Sequence, residues 1–217
     1  MAKFRLLDLF CGAGGSSMGY YRAGFEVVGV DLARQKHYPF EFIQGDALSL
    51  SLAGYDAIHA SPPCQAYSIA SKYSGKAYPD LVARIRERLA DTGSVWVIEN
   101  VPGAPVRADI RLCGCMFGLR LRRERWFETS WGHFELRQPC LHDGPVVSVV
   151  GHGTPSWVRQ KLGFNPRLVD YCGAMGIDWM GCDELSQALP PVYTEYIGRR
   201  IMDQLEAVAM MAAHREV

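Results

Sequence analysis

A doubly wound, mostly parallel α/β sheet is the fold class this sequence predicts. Three features predict it: short apolar runs in the first hundred residues, helical spacing between some of them, and a glycine-rich turn directly after the first run. Runs at 4–10, 26–30, 55–60 and 94–98 are short and almost wholly apolar, as strands covered on both faces by helices must be.

The first run leads into Asp8-Leu9-Phe10-Cys11-Gly12-Ala13-Gly14-Gly15-Ser16-Ser17, where Gly12, Gly14 and Gly15 let backbone approach a ligand at the turn into a helix. Asp31 lies 19 residues after Gly12, at the end of the second strand, where a carboxylate suits ribose hydroxyls. Asp46, in Gln44-Gly45-Asp46-Ala47, closes the next strand. Strand, turn and spaced acids together imply an adenosine-containing cofactor, with nicotinamide or flavin still open. The run at 55–60 is followed at once by Ser61-Pro62-Pro63-Cys64-Gln65-Ala66-Tyr67-Ser68. A cysteine at the carboxyl end of a parallel strand stands where ligands bind in open α/β sheets, and two prolines with fixed φ aim its thiol. Pro79-Asp80 starts a helix whose apolar face is Leu81, Val82, Ile85 and Leu89. From 103 to about 168 the pattern breaks into Gly, Pro, Arg and aromatic residues, read as short strands and loops. Pro190-Pro191 then opens a final helix with Ile197, Ile201, Leu205 and Val208 on its apolar face. The division expected is 1–125 as catalytic and cofactor-binding core, 126–168 as a reduced target-recognition segment, and 169–217 as the C-terminal part of the core.

At 217 residues, 48% apolar and 21% charged, the chain can bury one domain core and is not a disordered polymer. No apolar run reaches bilayer-spanning length, so a cytoplasmic protein without membrane contact is expected, and a monomer. The formal net charge of zero hides an asymmetry. Residues 103–167 carry 10 Lys/Arg against 5 Asp/Glu, and 168–217 carry 3 against 8. Arginine dominates the basic part, and it is the side chain suited to phosphates and base edges. The seven cysteines lack the spacing of a secreted disulfide scaffold, so most are expected reduced and buried. Cys113-x-Cys115 and Cys140-x-His142 invite a zinc site, but C-x-C is not the usual two-to-four-residue knuckle. Thiols packed as small hydrophobes are the reading preferred, and no metal is expected.

With these residues assembled, the chain resembles the DNA cytosine C5-methyltransferases, most closely their short phage-type members, whose purposes include restriction-modification, evasion of restriction and self-protection. The stretch from Asp8 to Gly15 matches the family's cofactor loop, Pro63-Cys64-Gln65 its nucleophile motif, and Glu99-Asn100-Val101 its acidic motif. Arg123-Glu124-Arg125 matches its paired arginines, and Ala188-Leu189-Pro190-Pro191 with Ile197-Gly198 its terminal motif. The motifs stand in the family's order over almost the whole chain. The resemblance implies a sheet of the S-adenosylmethionine-dependent methyltransferase type, with S-adenosylmethionine as methyl donor and double-stranded DNA as partner. It implies that the Cys64 thiolate adds to C6 of a flipped-out cytosine, making C5 able to take the methyl group. Glu99 would hold N3 and the exocyclic amine, Arg125 the O2, and Arg123 the thiol and a nearby phosphate. Asp31 would bind ribose, Asp46 the adenine amine, and Gln187 the methionine end, with Phe10, Gly12, Gly14, Leu32, Ala47, Pro62 and Ala188 completing the cofactor contacts.

On the nucleic-acid side, Gln65 and Ser68 would meet DNA, Ser68 in a polar loop at 66–76 that closes over the base. Arg137, Arg159, Lys161 and Arg167 would divide phosphate and base contacts of a short target. Two positions depart from the family: Leu121 stands where glutamine is usual, and Ser186-Gln187 where Gly-Asn is usual. RNA cytosine methylation, as in the family's transfer-RNA branch, shares this chemistry. A catalytically inactive nucleic-acid-binding relative is the third reading, opposed by the presence of Cys64, Glu99, Arg123 and Arg125.

Overall fold

The computed structural model describes residues 3–67, 80–132, 140–142, 144–150 and 154–213. Its strands are β1 (Arg5–Leu9), β2 (Glu26–Asp31), β3 (Glu41–Gln44), β4 (Ala57–Ala60), β5 (Val95–Asn100), β6 (Ile110–Leu112) and β7 (Arg125–Thr129). They form one sheet in the order β3-β2-β1-β4-β5-β7-β6. The first five are parallel, and β7 runs antiparallel to its neighbours β5 and β6. The helices are α1 (Gly15–Ala23), α2 (Val82–Ala90), α3 (Ser156–Leu162), α4 (Leu168–Met175), α5 (Cys182–Gln187) and α6 (Pro191–Ala213).

Side chains alternate across a strand, so adjacent residues serve opposite layers. Leu7, Val28, Ile58 and Ile98 pack with Val82, Ile85 and Leu89 of α2. Leu6, Val27, Ala57 and Val97 pack with Tyr20 of α1 and Tyr193, Ile197 and Ile201 of α6. A third cluster joins Ala13 and Leu121 to Val147, Val149, Met175, Ile177, Met180 and Leu185, carrying the C-terminal third onto the turn after β1. The strand order reverses between β1 and β4, which opens a crevice at their carboxyl ends.

The helix expected from Pro79-Asp80 starts at Val82, with Leu81 as its N-cap and Asp80 Oδ1 accepting the Val82 N–H at 3.0 Å. Three expectations change. The boundary at 125/126 falls inside β7, so residues 126–129 belong to the sheet and not to an excursion. Residues 156–162, expected as strand or loop, form α3, which buries Val158 and leaves Trp157 62% exposed. The apolar face of the last helix stops at half-buried Leu205; Val208, 65% exposed, has run past the end of the sheet.

Asp8 and His59 are paired in register on β1 and β4, both fully buried under α1. Asp8 accepts from Ser16 Oγ at 2.6 Å and Ser17 Oγ at 2.5 Å, and His59 Nδ1 meets Tyr20 Oη at 3.0 Å. Burial pushes the Asp8 carboxyl up from 3.8 to about 7, although the two serines oppose it, and pushes His59 down from 6.5 to about 3. Native Asp8 retains a proton that the unfolded chain releases, so its contribution falls as pH rises from 3.8 to about 7. Neutral His59 contributes in the opposite sense, and its share grows from about pH 3 to 6.5. Relative to wild type, Asp8→Asn should therefore gain stability with rising pH through the first window, and His59→Gln should lose it through the second. Each slope is at most about 1.4 kcal/mol per pH unit, read by urea denaturation across a pH series.

Candidate active site

The turn after β1 is strained and clamped. Phe10 has φ 61°, the positive value otherwise confined to glycines among the described residues. Cys11 N–H donates to the Val30 carbonyl at 3.1 Å, and Gly12 N–H to Asp31 Oδ2 at 3.0 Å. Asp31 Oδ1 accepts from Ala33 N–H at 3.2 Å, so this carboxylate ties the turn to the end of β2. The glycines divide their work. Gly12 has φ 50° and open space where a side chain would stand. Gly14, with φ 86°, lies against Tyr38 and Pro39, and a Cβ on Gly15 would stand 2.4 Å from the Leu189 carbonyl oxygen. Gly14 and Gly15 are thus required by protein packing; Gly12 and Gly15 both border the cavity, and Gly12 alone has open space there.

Across the crevice, Ser61 N–H donates to the Leu9 carbonyl at 3.2 Å, fixing the exit of β4 beside β1. Buried Asn100 donates its Nδ2 to the Pro62 carbonyl at 3.0 Å and accepts from Val101 N–H at 2.9 Å. That amide locks the acidic segment to the cysteine segment, a positioning role the motif alone did not disclose. Cys64 is half-buried, its carbonyl accepting from Tyr67 N–H at 3.0 Å. Cys11 is buried, and burial pushes its thiol up, which suits a packing role and not attack.

Glu99, next to last in β5, is 7% exposed, with Arg125 Nε 2.9 Å from its Oε1. Burial pushes its carboxyl up against the opposing charges of Arg125 and Arg123. Arg123 is buried; its Nη1 donates to the Val149 carbonyl at 3.2 Å and its Nη2 to the Ser186 carbonyl, leaving Nε unpaired. Burial first, and Arg125 second, bring its guanidinium down to about 9, while Glu99 and Cys64 lie close enough to favour its charge. Tyr193 Oη donates to the Arg123 carbonyl at 2.8 Å, so α6 holds this arginine in place.

Phe10, Gly12, Pro62, Cys64, Gln65, Glu99, Arg123, Arg125, Gln187 and Ala188 border one cavity of about 410 Å³. Gly14, Asp31, Leu32, Asp46 and Ala47 do not border it. Leu32 is 67% exposed beyond β2. Asp46 is exposed and caps its own turn through Leu48 N–H at 2.9 Å. Ala47 is buried in the α2 layer and gives its carbonyl to Arg88. The cavity adds Gln35, Asp183 and Glu184, which sequence reasoning missed, and Ser186, which it singled out only as a departure from the terminal motif. His37 Nδ1 lies 2.8 Å from Glu184 Oε2, joining the loop after β2 to α5 across 147 residues, a separation no local pattern reports.

Arg159 and Lys161 are exposed on α3, with Lys161 Nζ 5.5 Å from the centre of the Trp157 ring. Arg167 is exposed at the start of α4. None of the three borders the cavity. Ser68, Arg137 and most of the loop at 66–76 lie outside the described residues. The cysteine expectation needs correction: Cys11 and Cys113 are buried, but Cys140 and Cys182 are exposed and Cys64, Cys115 and Cys172 half-buried. Nor are Cys113, Cys115, Cys140 and His142 separate packing residues, because the fold gathers their donor atoms into one group. Among the described residues no helix is long and apolar enough to cross a membrane.

Residues 4–105 match the family described as C-5 cytosine-specific DNA methylase. The chain is 26% identical over 165 residues to the type II methyltransferase M.AplI of Arthrospira platensis, covering 58% of this chain and 46% of that one. It is 36% identical over 81 residues to the type II methyltransferase M.FnuDI of Fusobacterium nucleatum, covering 33% and 24%. The matches thus span less than half the length of these curated relatives. Among solved structures, a protein described as a DNA modification methyltransferase encoded within an E. coli prophage superposes with TM-score 0.63 at 15% identity, covering 94% of this chain and 100% of that one. The S. pombe Dnmt2 methyltransferase superposes with TM-score 0.58 at 11% identity, covering 94% and 99%. At these identities the likeness carries the fold.

The approach of Gly15 to Leu189 yields a prediction. Gly15→Ala should destabilise by about 1–3 kcal/mol, the usual cost of overpacking, and push the 186–189 segment off the cavity. Urea denaturation reads it, and a neutral result would contradict the close approach.

Proposed function

We propose that this chain, a member of the C-5 cytosine-specific DNA methylase family, methylates C5 of cytosine in DNA with Cys64 as covalent nucleophile. The observation that carries this reading is the convergence of Cys64, Glu99, Arg123 and Arg125 on the same cavity as the turn after β1 and the Gln187-Ala188 segment. S-adenosylmethionine is the cofactor, and the residues fit it. Gly12 faces open space at the crevice, and the cavity wall continues from Phe10 and Pro62 to Gln187 and Ala188. Those residues would hold the methionine end, and Asp31, Leu32, Asp46 and Ala47, beyond the cavity border at the ends of β2 and β3, the adenosine end. When bound, the cofactor supplies an electrophilic methyl group.

The chain's own side chains account for the remainder. The Cys64 thiolate forms a bond to C6 of cytosine as the C5–C6 double-bond electrons move to C5, which takes up the methyl group; a base then removes the C5 proton, the double bond reforms and the thiolate leaves C6. Arg123, immobilised by Val149 and Ser186, keeps positive charge beside that sulfur. Glu99, with its carboxyl pushed up by burial, is suited to share a proton with N3, which makes C6 more open to attack. Arg125 sits on Glu99 and is placed to turn to the cytosine O2 as the base enters. The cavity lies in a crevice, so the target base must leave the duplex stack to reach it. The basic segment at 103–167 favours a phosphate-bearing partner, and the type II relatives favour DNA.

Cys64→Ser should abolish transfer of a labelled methyl group to duplex DNA while leaving cofactor affinity within a few fold, because the hydroxyl is far less acidic than the thiol. Wild-type protein should also form a stable adduct with a duplex containing 5-fluorocytosine, whose fluorine blocks elimination. Turnover by the serine variant would overturn the nucleophile, and transfer to transfer RNA but not to duplex DNA would overturn the substrate. The exposed pair on α3 gives a separate expectation. Arg159→Ala and Lys161→Ala should each lower the salt dependence of DNA binding, by about 1 in the slope for a phosphate contact, without changing which sites bisulfite sequencing finds methylated. A changed site would assign them base contacts instead.

A further inference from the structure

Cys113, Cys115, Cys140 and His142 form a cluster outside the cavity described above, and their four donor atoms all lie within 4.8 Å of one another. Cys115 Sγ is 2.9 Å from Cys140 Sγ, Cys140 Sγ is 2.9 Å from His142 Nε2, and Cys113 Sγ is 3.6 Å from the same nitrogen. We propose that these side chains bind one zinc ion in a closed, structural Cys3His site.

The donor set selects the metal. Three thiols and one imidazole suit zinc, and suit magnesium or calcium poorly. Tetrahedral coordination at roughly 2.3 Å to sulfur and 2.0–2.1 Å to nitrogen sets donors roughly 3.5–3.8 Å apart. The spread of 2.9 to 4.8 Å brackets that spacing. Four protein donors leave no open position, which marks a structural ion and not one that activates water. The two halves are presented by fixed backbone. Cys113 follows β6 and opens the tight 3-10 turn Gly114–Phe117, in which Met116 N–H donates to the Cys113 carbonyl at 3.0 Å. Gly114 lies under Leu121, where a Cβ would stand 2.4 Å from the carbonyl oxygen. That tight turn brings both sulfurs into one group although a single residue separates them, which is how C-x-C can serve as a ligand pair here. The other half is tied down by Arg122, whose Nη2 donates to the carbonyls of His142 and Gly144, and by Val147 N–H donating to the Arg120 carbonyl at 2.8 Å.

The ion would close the chain from Cys115 to Cys140, a span that contains Arg123, Arg125 and β7. It would thereby fix the segment that returns to Val149, whose carbonyl holds Arg123. Three thiolates around zinc leave one net negative charge, and the Arg122 guanidinium beside His142 offsets it.

The test uses the full chain, expressed with zinc in the medium and purified with a thiol reductant present. Elemental analysis should find one zinc per chain in wild type and in a Cys172→Ser control, and a small fraction of that in Cys115→Ser and Cys140→Ser. Wild-type protein stripped by a chelator at mildly acidic pH should take up cobalt with the ligand-field and thiolate charge-transfer bands of a tetrahedral site. Stripping should also lower its melting temperature, and zinc should restore it. Folded wild-type protein that carries no zinc, gives no such cobalt spectrum and titrates as free thiols would overturn the proposal. So would a Cys115–Cys140 disulfide in unreduced protein together with no metal uptake after reduction. The cobalt spectrum of wild type keeps the test decisive should the serine variants fail to fold.

Discussion

Gly15 and Gly19 let α1 meet the start of α6 backbone to backbone. A Cβ on Gly19 would stand 2.0 Å from Thr194 Oγ1 and 2.1 Å from the Pro191 carbonyl oxygen, so no other residue fits without moving one helix. Thr194 Oγ1 occupies the space and donates to the Ser16 carbonyl at 2.8 Å. Because α6 is seated this closely, Ser186, Gln187 and Ala188 form a wall opposite the turn after β1, and Tyr193 reaches the Arg123 carbonyl. Trp179, donating its Nε1–H to the Ala13 carbonyl at 2.9 Å, seals the same junction from the side. The cavity is therefore a product of α1 and the start of α6 meeting, and loss of that contact would remove the wall that closes the crevice at the ends of β1 and β4.

Buried ionisable groups are treated in two different ways within this one core. Burial holds Asp8 and His59 neutral over much of the ordinary pH range, which avoids the cost of a buried charge. Glu99, Arg125 and Arg123 are clustered, so each charge offsets part of the other's burial, and the arginines find backbone carbonyls for some of their N–H groups. The unpaired Nε of Arg123 marks where this compensation is incomplete. An arginine nitrogen without a partner beside the cavity can give an interaction to an incoming anion or base, and under α1 Asp8 Oδ1 and His59 Nε2 are likewise without partners, away from the cavity lining.

The departure at Leu121 shows how a local substitution is absorbed. Its side chain is buried with Val147 and Val149, and its carbonyl lies on Gly114, so an apolar residue here knits the arginine segment to the returning chain. A glutamine would bring a polar amide into that cluster. The same segment lies in the chain between the two halves of the cysteine and histidine group, and Arg122, next to Arg123, donates to the His142 carbonyl.

By itself the sequence determined the parallel core, because strands buried on both faces must be short and apolar wherever they fall, and it located the turn glycines and Cys64 through motifs contiguous in the chain. It identified Glu99 and both arginines by the same means. Only the tertiary structure decided which of these meet. It placed Asp31, Leu32, Asp46 and Ala47 beyond the cavity border, brought Asp183, Glu184 and Gln35 onto it, and showed that Gly14 and Gly15 answer to Tyr38 and Leu189. It also made α3 from residues without a clear helical period and gathered Cys113 and Cys115 with Cys140 and His142. Periodicity and motif report what neighbouring residues need from their own backbone. Contacts such as His37 with Glu184, across 147 residues, depend on how the sheet orders its strands and where the last helix docks, and no local stretch of chain encodes that.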